Sequence, residues 1–419
     1  MASTVYGSVP FAEQITFFRQ KLNLPTQAWT DIYNREHDFA FVVAGANRDD
    51  LLADFRTAID NAIANGGTLE QFRKDFDRIV EQYGWDYNGG RNWRSNVIYE
   101  TNLNSSYHAG RYEQLQAQRS ALPYWRYRHS DLVEDPRPEH QAWDGLVLRA
   151  DDPWWNTHYP PNGWGCQCYV EGLTEDDVKD LGKTGPDKAP PLNTETKLIG
   201  KRSPGGPFAV EVPAGIDPSF EHAPGQSRLQ SAVPPERPTP PARGSNGLPN
   251  RTPADALPAP RALPASALLP EGLPDADYAN AFLNQFGAQY RGAPVVFKDV
   301  LGSALVMSDD LFEQRGKKAA TGNNSKIDKY GRGQYLGIMA QGVIDPDEIW
   351  VRLEYQHGVK KAVVRRRYIA RFTIPGQEIP ALAVWEHGKD GWTGVTTFPV
   401  TQHDIDDLRV GVRVYRRAE

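Results

Sequence analysis

The chain has 419 residues, 39% hydrophobic and 24% charged, enough for two or three domains at about 150 residues each. No run of about 18 apolar residues occurs, and residues 1–20 lack a basic start followed by an apolar stretch, so neither membrane insertion nor secretion is expected and a cytoplasmic site of synthesis is. The formal net charge of −6 is uneven: residues 294–419 hold 19 Lys and Arg against 16 Asp and Glu, leaving −9 on residues 1–293, an acidic front unsuited to coating nucleic acid.

In chain order, Leu51, Leu52, Phe55, Ile59, Ala62 and Ile63 recur at helical spacing and stop at Asn65-Gly66-Gly67. Thr68 with Gln71 reads as a capping box opening a second helix that carries Leu69, Phe72, Phe76, Ile79 and Val80. A third long helix is expected over 93–119. After Leu122 the text turns aromatic and rich in Pro and Gly, as in a compact loop or β module. Of the 33 prolines, 17 fall within 201–275, and so Pro-rich a segment, without periodic apolar faces, predicts an extended, largely disordered tether. Beyond it a helix is expected over 278–290, then strands at 349–353, 362–374, 381–385 and 410–415, rich in β-branched and aromatic residues. The expected class is α+β: a helical N-terminal region with a small aromatic loop/β module (1–174), a Pro-rich linker (175–276), and a small α+β C-terminal domain with an antiparallel sheet (277–419).

The densest chemistry lies between His129 and Cys168. Cys166 and Cys168 are too few for a disulfide framework and too close to bridge one another without strain. With His140 and His158 they form a complete ligand set for tetrahedral zinc, which would staple a module with few aliphatic residues to bury. The spacing is not that of a zinc finger, so a pair of reduced, inert cysteines stays open as the alternative.

These residues also carry a resemblance. Phe11-Ala12-Glu13-Gln14-Ile15-Thr16-Phe17-Phe18-Arg19-Gln20-Lys21, then Gly84-Trp85, Arg137-Pro138-Glu139-His140 and the run from His158-Tyr159-Pro160-Pro161 to Cys166-Gln167-Cys168 look like the phage Mu F-like minor head proteins of tailed bacteriophages, over roughly residues 5–174. The resemblance implies a low-copy head component in the virion, needed for head morphogenesis. It also implies portal and major capsid proteins as partners, a place near the portal or inner capsid wall, ejection with the DNA in some cases, and no enzymatic role for this region. The rear, with Asp345-Pro346-Asp347-Glu348-Ile349-Trp350 and Arg365-Arg366-Arg367-Tyr368, resembles phage-borne nuclease domains grouped with barnase, EndoU, colicin E5/D and RelE. That implies metal-independent RNA cleavage, and as the alternative function a virion-delivered effector.

Such cleavage needs a base for the 2′-hydroxyl proton, an acid for the leaving oxygen and cations for the charge that builds on phosphorus. Strand alternation puts Arg365, Arg367 and Arg371 on one face, a guanidinium row suited to phosphate, and Arg366, Tyr368, Ala370 and Phe372 on the other. Glu354, His357, His387 and His403 are candidate proton carriers, and Tyr368, Thr396 and Thr397 candidate hydroxyl donors. An ordinary solvent-facing strand explains the same arginines. Lys317, Lys318, Lys326 and Lys329 lie in a Gly- and Asn-rich stretch that reads as a basic loop able to close over RNA or as plain surface.

Overall fold

The computed structural model describes residues 11–131, 133, 135–203, 206–229, 255–312, 326–327, 329–356, 361–388, 391–399 and 402–418. The expected sites His357, Lys317 and Lys318 lie outside them, and the side chains of His403 and Lys329 are likewise not described.

Helix α1 (Ala12–Arg19) leads into two short parallel strands, β1 (Leu22–Asn23) and β2 (Ala40–Phe41). Three longer helices follow, α2 (Asp49–Asn65), α3 (Leu69–Tyr83) and α4 (Arg91–Ala117). Helix α2 ends on Gly66 at φ +68°, a left-handed position natural to glycine. Thr68 Oγ1 accepts from the Gln71 backbone N–H, and Gln71 Oε1 accepts from that of Thr68, so the expected capping box is present. The apolar stripes read from the sequence meet here: Phe55, Ile59, Phe72, Phe76 and Ile79 pack with Phe18, Phe41 and Trp85 in one core.

The aromatic module is a three-stranded antiparallel sheet, order β4-β3-β5, built from β3 (Tyr124–Arg128), β4 (Val147–Arg149) and β5 (Tyr169–Leu173). Short helices α5 (Pro138–Trp143) and α6 (Trp155–His158) interrupt it. Trp125, Tyr127, Trp143, Trp154, Trp155 and Tyr159 form its core largely by edge-on ring contacts. Those rings are core, whereas Trp164 stays exposed.

Residues 175–229 do not behave as the expected tether. Helix α7 (Glu175–Asp180) packs beside β5, and β6 (Thr194–Ile199) pairs with β7 (Phe208–Pro213) in an antiparallel hairpin. In β7 Phe208, Val210 and Val212 alternate inward, packing with Trp29 and Tyr33, and Ile216 and Ala223 enter the aromatic core. That alternation supplies the apolar face which the proline count obscured. Helix α8 (Gln226–Leu229) then contacts α4.

The rear is an eight-stranded sheet over which two helices lie, α9 (Asp275–Leu283) and α10 (Leu336–Ile344). The strands are β8 (Arg261–Ala262), β9 (Val295–Lys298), β10 (Ala304–Met307), β11 (Glu348–Gln356), β12 (Lys361–Ile374), β13 (Gln377–Gly388), β14 (Gly391–Pro399) and β15 (Val412–Arg416), with α11 (Gln402–Asp407) before the last. Their order is β15-β11-β12-β13-β14-β10-β9, and β8 pairs with the far end of β12. Strands β11 to β14 are antiparallel neighbours, in keeping with the expected antiparallel sheet although no strand was expected over 391–399, while β10–β14 and β8–β12 are parallel. Leu24, Ile32 and Ala40 of the front lie in the same buried cluster as Tyr278, Phe282, Tyr368 and Trp385 of the rear.

Candidate functional site

Pairing of β3 with β5 builds the first site. Arg128 stands opposite Tyr169, so the antiparallel register carried one residue further brings His129 beside Cys168. Helix α5, with Pro138 in its first turn, presents His140 from the other side. The donor atoms of His140, Cys166 and Cys168 all lie within 4.8 Å of one another, and all three residues are buried. Nδ1 of His140 is 3.8 Å from Cys166 Sγ and 3.6 Å from Cys168 Sγ.

The opposite nitrogen of that ring, Nε2, donates to the Gly215 carbonyl at 2.8 Å, which leaves the Nδ1 lone pair directed at the sulfurs. Metal-bound imidazoles are commonly fixed in this way by a backbone carbonyl. Gly215 has φ +82°, and a Cβ there would come within 2.6 Å of Glu139 Cβ, so glycine is what permits the approach.

The two sulfurs share a hydrogen bond that splits their acidities. It pulls Cys168 down against the effect of burial, while the same bond and burial push Cys166 up. Two sulfurs and an imidazole in a dry pocket are a donor set suited to zinc or another thiophilic metal.

His158 is not in this set. Its Nδ1 lies 2.7 Å from Thr157 Oγ1 and 3.2 Å from the Trp154 carbonyl, and its ring stacks on Trp154 at 4.3 Å. Closing the single turn of α6 holds it there, and burial lowers its pKa to about 4. His129 is nearer, with Nδ1 3.5 Å from Cys168 Sγ. Gly215 reaches the site from 47 residues beyond Cys168, and no local motif ties it to the thiols.

In the rear, β12 alternates as expected, but the candidate catalytic residues fall on two faces. Arg365 is held by Glu354 (2.8 Å) and Glu386 (3.2 Å), and Arg367 also pairs with Glu354. Nη2 of Arg371 donates to the carbonyls of Leu257 (3.0 Å) and Pro258 (2.6 Å). Tyr368 is buried on the opposite face, its hydroxyl donating to Asp299 at 2.6 Å. His387 shares that face: it is near Asp49 and Arg366, and burial lowers its pKa. Thr397 is buried and donates to the Leu382 carbonyl at 3.1 Å. Arg365 and Arg367 therefore sit with Glu354, Arg371 pairs instead with Glu378 and the 257–258 carbonyls, and Tyr368, His387 and Thr397 are not brought to them.

Residues 255–259 run along the same arginine-bearing face. The Asp255 carboxylate lies 2.6 Å from Arg413 and 3.1 Å from Arg416, and the Ala259 carbonyl accepts from Arg417 at 2.7 Å. Elsewhere, a cavity of 410 Å³ in the front has mainly apolar walls, including Phe17, Trp29, Trp93, Val97 and Phe220.

Fold and site together define a chain with a thiol- and imidazole-bearing front module and an arginine-rich β-sheet rear. Residues 53–171 match the family described as Phage Mu protein F like protein, and residues 281–416 match the phage-Barnase-EndoU-ColicinE5/D-RelE like nuclease2 family. The chain is 34% identical over 188 residues to a putative capsid assembly protein F of Escherichia phage Mu, covering 42% of this chain and 43% of that protein. It is 38% identical over 169 residues to the Mu-like prophage FluMu F protein of Haemophilus influenzae, covering 38% and 40%. The chain thus spans about two fifths of the length of the curated relatives it matches. No solved structure matches it. The chain carries a phage Mu F-like region followed by a nuclease2-like region, and no helix among the described residues is long and apolar enough to cross a membrane.

Proposed function

We propose that this chain is a minor head protein of a tailed phage, seated near the portal or inner capsid wall and carried in the virion. The observation that carries this reading is the Mu F-like match over the helical and aromatic front, together with the likeness to a putative capsid assembly protein. In this reading the front docks onto portal or major capsid protein, and a zinc ion held by His140, Cys166 and Cys168 fixes the aromatic module in its docking shape. Mass spectrometry and electron microscopy of purified particles test the placement. The chain is expected in mature heads at low copy, near one vertex, and its absence from particles overturns the reading.

A second reading concerns the rear, where the nuclease2 match coincides with a sheet face bearing Arg365, Arg367 and Glu354. There the rear cleaves RNA without a divalent metal, the arginines meeting phosphate and Glu354 moving the 2′-hydroxyl proton. Full-length chain is incubated with total RNA in magnesium-free buffer. Cleavage that Arg367→Ala removes at least about 100-fold supports this role, whereas intact RNA at micromolar protein refutes it.

A further inference from the structure

We infer that His129 is the fourth protein ligand of the metal held by His140, Cys166 and Cys168, which makes the site closed and structural. The inference rests on the zinc reading above and adds the residue that completes it.

Zinc bonds of about 2.3 Å to sulfur and 2.0–2.1 Å to nitrogen, set at tetrahedral angles, separate a sulfur from a nitrogen ligand by about 3.6 Å. His140 Nδ1 stands 3.6 and 3.8 Å from the two sulfurs, and His129 Nδ1 stands 3.5 Å from Cys168 Sγ. Three sulfur–nitrogen separations thus match tetrahedral edges. His129 meets the set through Cys168 and stands outside the three donors that lie within 4.8 Å of one another, so its half-buried ring has to turn toward Cys166 and His140 to close the tetrahedron.

Its backbone is already fixed. The β3–β5 register places position 129 across from Cys168, and the His129 N–H donates to Asp144 Oδ1 at 2.8 Å. His158, the other imidazole nearby in sequence, has its Nδ1 turned to Thr157 and Trp154 and its ring stacked on Trp154. Four protein ligands leave no open position, so such a metal joins the end of β3, helix α5 and the approach to β5 instead of activating water.

Zinc content of the purified full-length chain, chelator competition and cobalt(II) replacement test this. One tightly held zinc per chain is expected. His129→Ala should weaken zinc by about 100-fold or more, while His158→Ala changes affinity less than about threefold. His129→Cys should restore affinity and raise thiolate-to-cobalt charge-transfer absorption by about half, as two sulfur ligands become three. Wild-type affinity and an unchanged cobalt spectrum in His129→Ala overturn the inference while sparing the zinc reading. A wild-type chain that binds no zinc overturns both.

Discussion

Histidine burial sets how this chain meets acid. His37 is lowered to about 3, first by burial and then by the nearby Lys21 charge, and burial lowers His108 to about 4 and His158 to about 4. Each is neutral in the folded chain and takes up a proton near pH 6.5 once unfolded. Their contribution to stability is therefore complete above pH 6.5 and drains as pH falls toward 4. At pH 5 each such group costs about 2 kcal/mol relative to pH 8. Urea midpoints at the two pH values check this: a marked drop at pH 5 is expected, smaller in His158→Gln, and equal midpoints contradict it. Residue choice was also where sequence reading faltered. His158 completes a two-thiol, two-imidazole ligand set on paper, but residue type and nearness along a chain say little about which way a one-turn helix aims its ring. His129 needed the β3–β5 register, which no local pattern prints.

Among the elements, those with a clean period were legible. The α2 and α3 stripes, the Thr68 cap and the long strands β11, β12 and β13 fall where apolar periodicity and β-branched runs placed them. Strands β9, β10 and β14 have no counterpart in the sequence expectations: β9 and β10 are four residues each toward one end of the sheet, and β14 opens on Gly391 and holds Gly394, so partners more than local sequence define them. The β6–β7 hairpin was hidden by proline density, although its alternation was present. That hairpin has a chemical consequence, because the turn following β7 delivers the Gly215 carbonyl to His140. Gly215→Ala forces a Cβ into a left-handed turn and against Glu139, so the carbonyl must move off the ring. Zinc affinity measured by chelator competition should fall about 10–100-fold. An unchanged affinity would show that the Gly215 contact is incidental to the site.

For the whole molecule, the sequence suggested two bodies on a leash, and the described residues instead join front to rear at two places. Arg366 is fully buried in the rear sheet, donating to Asp299 at 3.0 Å and to Asp49, in the first turn of α2, at 3.0 Å. Burial works against its charge, and the two carboxylates more than offset that, leaving its pKa raised. Beside this ion pair, Leu24 enters the apolar cluster that lies between the rear sheet and helices α9 and α10. A proline-rich segment carried no information about such docking, because a chain can leave and return whatever its composition. The consequence is testable through Leu24→Ala, a change in the front that opens a cavity in a core shared with the rear. Such truncations cost about 2–5 kcal/mol. If front and rear fold as one cooperative unit, the variant should lower hydrogen-exchange protection of β12 and of α3 together. If the rear folded independently, protection in β12 would hold at the wild-type level while α3 alone weakened.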